Sequence, residues 1–181
     1  FKWGNPFSWS YSGEVADAIK ERVKAAGGSV TGELCCRLAW DNTDDLDLSM
    51  REPNGDSVNY ISALRYESSN GGMLDLDANG RDGLRKDPAE NIVYDKIHKM
   101  KEGQYILSVH QYRKRGSGRE GFQAQIEFGG QTFNFQVDRA VRQGERIEIA
   151  TLEYRRASGL KIVKSLGEAA GVVGSGPEVW G

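Results

Sequence analysis

The sequence predicts a mainly β domain, an antiparallel β-sandwich of jelly-roll type with one N-terminal α-helix. Three observations carry that prediction. Short runs of leucine, β-branched and aromatic residues alternate with polar ones at a period of two. Turns containing Gly, Asn and Pro separate the runs, in a chain with 23 glycines and 4 prolines. Beyond the first 28 residues, no helical repeat of apolar positions interrupts the series.

In chain order, residues 1–11 form an aromatic arm with Phe1, Trp3, Phe7, Trp9 and Tyr11. Ser12 is a plausible N-cap for the helix that follows, Glu14 lies in its first turn, and Val15, Ile19 and Val23 form one apolar stripe. Gly27 and Gly28 supply its stop. The period then changes to two. Residues 31–40 place Leu34, Cys36, Leu38 and Trp40 on one face. Strands are expected over 45–51, 57–61 (after the turn Pro53-Asn-Gly55) and 73–77. A polar loop over about 78–90 leads into Asn91-Ile-Val-Tyr94. Residues 104–112 read as a strong strand. Phe122 to Phe128 and Phe133 to Val137 form a hairpin through Gly129-Gly130, and 145–155 pairs with 160–165 through Ala157-Ser-Gly159. The expected organisation is an arm and helix over 1–30, a sandwich of eight or nine strands over 31–167, and a flexible tail over 168–181.

Charge is balanced at 24 basic against 26 acidic residues, a net charge of −2, so no global field recruits nucleic acid or an anionic membrane. No apolar run approaches the roughly 20 residues needed to cross a bilayer. The chain starts at Phe1 and reads as processed or cut from a longer protein, with a cytoplasmic or phage-particle setting favoured over a secreted one. Cys35 and Cys36 are adjacent, which disfavours a disulfide between them, and with only His98 and His110 in the chain they have no zinc-site spacing.

The most informative segments are Asp45-Leu-Asp47-Leu and Leu74-Asp-Leu-Asp77. In a strand each puts its leucines on one face and its aspartates on the other. Were the two strands neighbours, their carboxylates would converge and need a cation or an arginine beside them. Calcium takes six to eight oxygen ligands, and Asp41, Asp44, Asp45, Asp47, Asp75, Asp77 and Asn91 are the candidates, with Asp95 nearby. The spacing is not that of an EF-hand, because the central Gly and the distal Glu are missing. Two other readings stay open: aspartates that cap turns or pair with Arg37 or Arg81, and catalytic carboxylates.

The run Leu38-Ala-Trp-Asp-Asn-Thr-Asp-Asp-Leu-Asp-Leu48, followed by Pro53-Asn-Gly55, Gly72-Met-Leu-Asp-Leu-Asp77, Pro88-Ala-Glu-Asn-Ile92 and Gly103-Gln-Tyr-Ile-Leu-Ser-Val-His110, resembles the YfaP-like family of uncharacterised bacterial and phage proteins. The resemblance spans residues 31–112. More distantly, the pattern is similar to pre-peptidase C-terminal domains, which implies a calcium-binding jelly roll. Ser49 stands where the family often carries His, and Val93 precedes the aromatic Tyr94. No activity is assigned to the family, so none carries over.

Signs of catalysis are weak. Neither His98 nor His110 lies beside a Ser or Cys in a nucleophile motif, and there is no phosphate or dinucleotide fingerprint. Arg113, Lys114, Arg115 and Arg119 cluster in one segment and are weak candidates for gripping an anionic ligand, against a solvated hairpin loop. The expected function is a non-catalytic binding, structural or assembly module, stabilised by Ca2+ through the Asp cluster. The alternative is a hydrolase using that cluster with His110. The terminal aromatics Trp3, Phe7, Trp9 and Trp180 are expected to meet a protein partner, a second copy or their own domain, with neither nucleic acid nor membrane as partner.

Overall fold

The computed structural model describes residues 18–60, 66–77, 88–116 and 118–166. The aromatic arm, the Ser12 cap, Arg81 and the tail with Trp180 lie outside these residues. Within them the sandwich is as expected, with ten strands rather than eight or nine, and Ala89 and Glu90, expected at the end of a loop, begin one of them. A helix, α1, is described over residues 18–25, and ten strands follow. They are β1 (Leu34–Asn42), β2 (Asp45–Arg51), β3 (Ser57–Val58), β4 (Gly72–Leu76), β5 (Ala89–Tyr94), β6 (Gly103–Arg113), β7 (Gly118–Phe128), β8 (Gln131–Val137), β9 (Arg146–Arg155) and β10 (Gly159–Ser165), with a 3-10 turn at Ile97–Lys99 before β6. They form two five-stranded antiparallel sheets. The first has the order β4-β5-β1-β7-β8 and the second β10-β9-β6-β2-β3.

The helix ends through its glycines. The Gly27 amide donates to Lys24 O and the Gly28 amide to Val23 O, with Gly27 at φ 98°, the paired bonds of a Schellman motif. Ile19 and Val23 of the predicted stripe are both buried. Val23 packs with Leu76 and Ala89, so the helix seals one part of the outer face of the first sheet.

Period two fills the space between the sheets. Leu34, Cys36, Leu38 and Trp40 of β1 join Leu46, Leu48 and Met50 of β2, Tyr105, Leu107 and Val109 of β6, and Phe133 and Phe135 of β8 in one core. The β7–β8 hairpin turns on Gly129 and Gly130 at φ 60° and 76°, the positive values a two-residue hairpin turn of matching twist requires. Cys36 lies in the core and Cys35 on the opposite face, both free and buried.

Two expectations about the acidic segments change. β2 and β4 are not neighbours, since they lie in different sheets. The leucines of β4 also do not share a face: Leu74 enters the main core, whereas Leu76 joins Val23 and Ala89. A register shift between Leu74 and Leu76 against β5 is the cause, because one extra residue in a strand turns the residues after it to the other side. Asp75 and Asp77 therefore enter different surroundings.

Candidate metal centre

β2 is closed on both faces. Its leucines fill the core, yet Asp45 and Asp47, which alternate with them, are only 3% and 6% exposed. Among the described residues β3 pairs only with Met50 and Arg51, so the Asp45–Leu48 edge of β2 has no strand beside it. Glu90 of β5, in the other sheet, fills that place. It has the same parity as Ile92 and Tyr94, which point into the core, and its Oε1 accepts the Leu48 amide at 2.8 Å. Its carboxyl is fully buried.

This puts one carboxyl oxygen each from Asp45, Asp47 and Glu90 within 4.8 Å of one another. Asp77, brought round by the β4 bulge, lies within hydrogen-bonding reach of Glu90 and raises the proton affinity of Glu90, Asp47 and Asp45. Asp45 Oδ1, Asp47 Oδ2, Asp77 Oδ1 and Glu90 Oε2 are buried and accept no hydrogen bond among the described residues. Buried polar atoms in folded proteins nearly always have a partner, so four orphaned carboxyl oxygens at one place call for one.

The electrostatics agree. Burial, with the nearby Asp77 charge, pushes Asp45 up to about 6, while Arg115 and Arg113 act the other way. Burial, then the charges of Asp45 and Asp77, pushes Asp47 up to about 8 against Arg146. Burial, with Asp77 and Asp47 beside it, drives Glu90 well above the usual carboxylate range despite the Leu48 amide. Without a cation Asp47 and Glu90 hold their protons at neutral pH, whereas Asp45 is mostly ionised. The arrangement has two low-energy conditions, protons shared among the acids or a positive ion between them.

The pH dependence follows. Free Asp titrates at about 3.9, so both folded values are raised, and the native state binds more protons than the unfolded chain. Their contribution to stability is complete below about pH 4 and is lost as pH rises through 6 and then 8. In chelator the melting temperature should fall between pH 5 and 8.5, and Asp47→Asn should flatten that fall. A variant as pH-dependent as the parent would contradict the assignment.

The other residues singled out in the sequence are engaged elsewhere. Asp41 pairs with Arg22 at 2.6 Å. Asp44 accepts from the Arg115 and Gly116 amides at 2.7 and 2.8 Å, from Gln111 Nε2 at 2.9 Å and from Lys114 Nζ at 3.0 Å. Burial favours its neutral form, but these donors outweigh burial and hold it below the usual range. Asp75 accepts from the Ser29 amide and from Asn91 Nδ2, and Asn91 also donates to Ser29 O, so both belong to the seat of the helix C-terminus. Asp95 is exposed on the turn after β5. Arg37 donates to Gln125 and Glu127 rather than to an aspartate.

In the basic segment, Lys114 is tied to Asp44 and Glu120, and Arg115 reaches Thr43 O. Arg113 and Arg119 are exposed. Sequence reasoning did not single out Glu90. Its signal was present, however: a lone carboxylate on the apolar face of Ala89-Glu-Asn-Ile-Val-Tyr94.

A shallow surface depression lined by Trp40, Asp41, Arg119, Gln136 and Asp138 among others contains none of the clustered acids. His110 is the register partner of Asp47 and is half-buried; burial and Arg146 lower its proton affinity.

No family model matches the chain, and no curated protein matches it. Among solved structures, that of the unknown-function protein SAV2460 is similar at a TM-score of 0.48, covering 73% of this chain and 86% of that one at 9% sequence identity.

Proposed function

We propose that the protein is a non-catalytic β-sandwich module stabilised by a calcium ion held at the open edge of β2 by Asp45, Asp47, Asp77 and Glu90. The observation that carries this reading is the set of four buried, unpartnered carboxyl oxygens, contributed from both sheets. Those of Asp45, Asp47 and Glu90 lie within 4.8 Å of one another and can share an ion at the 2.3–2.6 Å typical of calcium, with Asp77 beside them. An all-carboxylate set favours a hard cation over zinc, which prefers His and Cys. It also favours calcium over magnesium, which keeps several waters and uses one or two carboxylates. The enclosure of the ligand atoms supports a structural ion, because a catalytic metal keeps a position open to substrate. The same enclosure weighs against a hydrolase built on this cluster and His110, for which a substrate cleft at the acids is the first requirement. The terminal aromatics remain our proposed route to a protein partner or a second copy.

The test is thermal unfolding at pH 7.5 in calcium, magnesium and chelator. An ion that binds only the folded state adds about 2.7 kcal/mol at 100 times its dissociation constant. Calcium should raise the melting temperature by several degrees, and magnesium by less. Superimposable curves in calcium and chelator would remove the ion from the account.

A further inference from the structure

Among the described residues the first sheet ends in β4 and β8 and the second in β10 and β3. A strand edge is a row of backbone N–H and C=O groups that pairs with any strand offered to it, and folded proteins guard it with short length, charge or a bulge. Three of these edges are guarded. β3 has two residues. β4 carries Asp75 and breaks register with β5 after Leu74. β10 carries Lys161 and Lys164 and breaks register with β9 after Ile162. β8 has none of these guards. Its seven residues, Gln131–Val137, hold no charge and no proline, and they run in unbroken register with β7. Phe133, Phe135 and Val137 point into the core, which leaves Thr132, Asn134 and Gln136 half-buried on the outer face.

We infer that β8 pairs edge to edge with β8 of a second copy of this chain, antiparallel about a two-fold axis at Asn134. The turn fixes which groups face the partner. A two-residue turn at Gly129-Gly130 makes Phe128 and Gln131 a hydrogen-bonded pair, so the odd-numbered residues of β8 direct their backbone groups to β7. The N–H and C=O of Thr132 and Gln136 therefore face away from the sheet. The two-fold axis sets Thr132 of each copy opposite Gln136 of the other, and each such pair exchanges two backbone hydrogen bonds. Asn134 Oδ1 accepts from Gln125 Nε2 at 3.1 Å, so its side chain leans over β7 and not across the axis. No like charges meet at the joint, because the strand has no charge at all. A two-fold contact uses the same surface on both copies and closes on itself. With the other three edges guarded, assembly stops at two chains instead of growing edge by edge. The inference rests neither on the ion nor on the terminal aromatics.

Sedimentation equilibrium of the full chain tests it. The parent should form a dimer and no larger species. Thr132→Lys combined with Gln136→Lys sets lysine opposite lysine twice across the joint, and should weaken the dimer at least tenfold. Thr132→Lys combined with Gln136→Glu sets lysine opposite glutamate twice, and should dimerise at least as tightly as the parent. In the parent itself, exchange of the Thr132 and Gln136 amides with solvent should slow as protein concentration rises, a readout that needs no variant to fold. A chain that stays monomeric at about 1 mM would overturn the inference. Open-ended growth in place of a dimer, a dimer that both variants leave unchanged or lose equally, or amide exchange independent of concentration would overturn it as well. A dimer lost on replacing Trp3, Phe7 and Trp9 by Ser but intact in the double-lysine variant would assign the contact to the terminal aromatics and overturn the β8 pairing.

Discussion

Glu90→Gln should abolish the calcium-induced rise in melting temperature and leave the protein as stable in chelator as the parent, or more so. The amide keeps the acceptor that the Leu48 N–H needs, at the same length of side chain. It also removes a carboxyl whose ionisation burial and Asp77 oppose, so the ion-free fold loses nothing by the change. The ion loses a charged ligand, and ligand charge is a main determinant of calcium affinity. A hundredfold weaker site, at a calcium concentration 100 times the parental dissociation constant, forfeits most of about 2.7 kcal/mol. Parallel melts of parent and variant in calcium and chelator decide the matter. A full calcium response in Glu90→Gln would remove Glu90 from the site, and a collapse of both curves would mean that the carboxylate is needed for the fold itself.

The second large effect concerns the core. Trp40 is 1% exposed, and its indole Nε1 donates to Asp44 O at 2.8 Å. Trp40→Ala should cost about 3–5 kcal/mol for the lost burial and the cavity. It should cost about 1–3 kcal/mol more for a buried carbonyl left without its donor. Set against the 5–15 kcal/mol that a domain of this kind holds in total, most of the stability goes. The loss should also disturb the turn at Thr43-Asp44 and, through Asp44, the Lys114–Gly116 segment that three donors bind to it. Urea unfolding followed by far-ultraviolet circular dichroism measures this. Trp40→Phe should recover most of the apolar loss but not the hydrogen bond, and a change below about 1 kcal/mol for Trp40→Ala would show that the site collapses without penalty.

The strands were legible because alternation is local. Leu34, Cys36, Leu38 and Trp40 declare a face without reference to any other segment, and Gly129-Gly130 declares its turn. Their partition was not legible. Nothing within Asp45–Leu48 or Leu74–Asp77 says that β2 and β4 belong to opposite sheets, because pairing depends on contacts with β6 and β5, which are distant in the chain. The bulge at Asp75 was equally hidden, since one extra residue leaves the alternation intact on paper while it separates Asp75 from Asp77 in space. Asp45, Asp47 and Asp77 are legible from carboxylates that alternate with leucine in two short segments. Asp44 had the same appearance, but its surroundings proved to be backbone amides and Lys114. Glu90 was passed over because it was read as the end of a loop, where a carboxylate is unremarkable.

The Leu48 amide crosses from one sheet to the other to reach Glu90, and that bond has a kinetic meaning. An ion held by ligands drawn from β2 and β5, as we propose, would leave only when that rim of the sandwich opens. Its residence time would then be a property of the fold's breathing rather than of the carboxylates' affinity, and exchange of the Leu48 amide with solvent would time the same event. A cell that strips the ion slowly and a protease that waits for an open edge would both be reading one local opening rate.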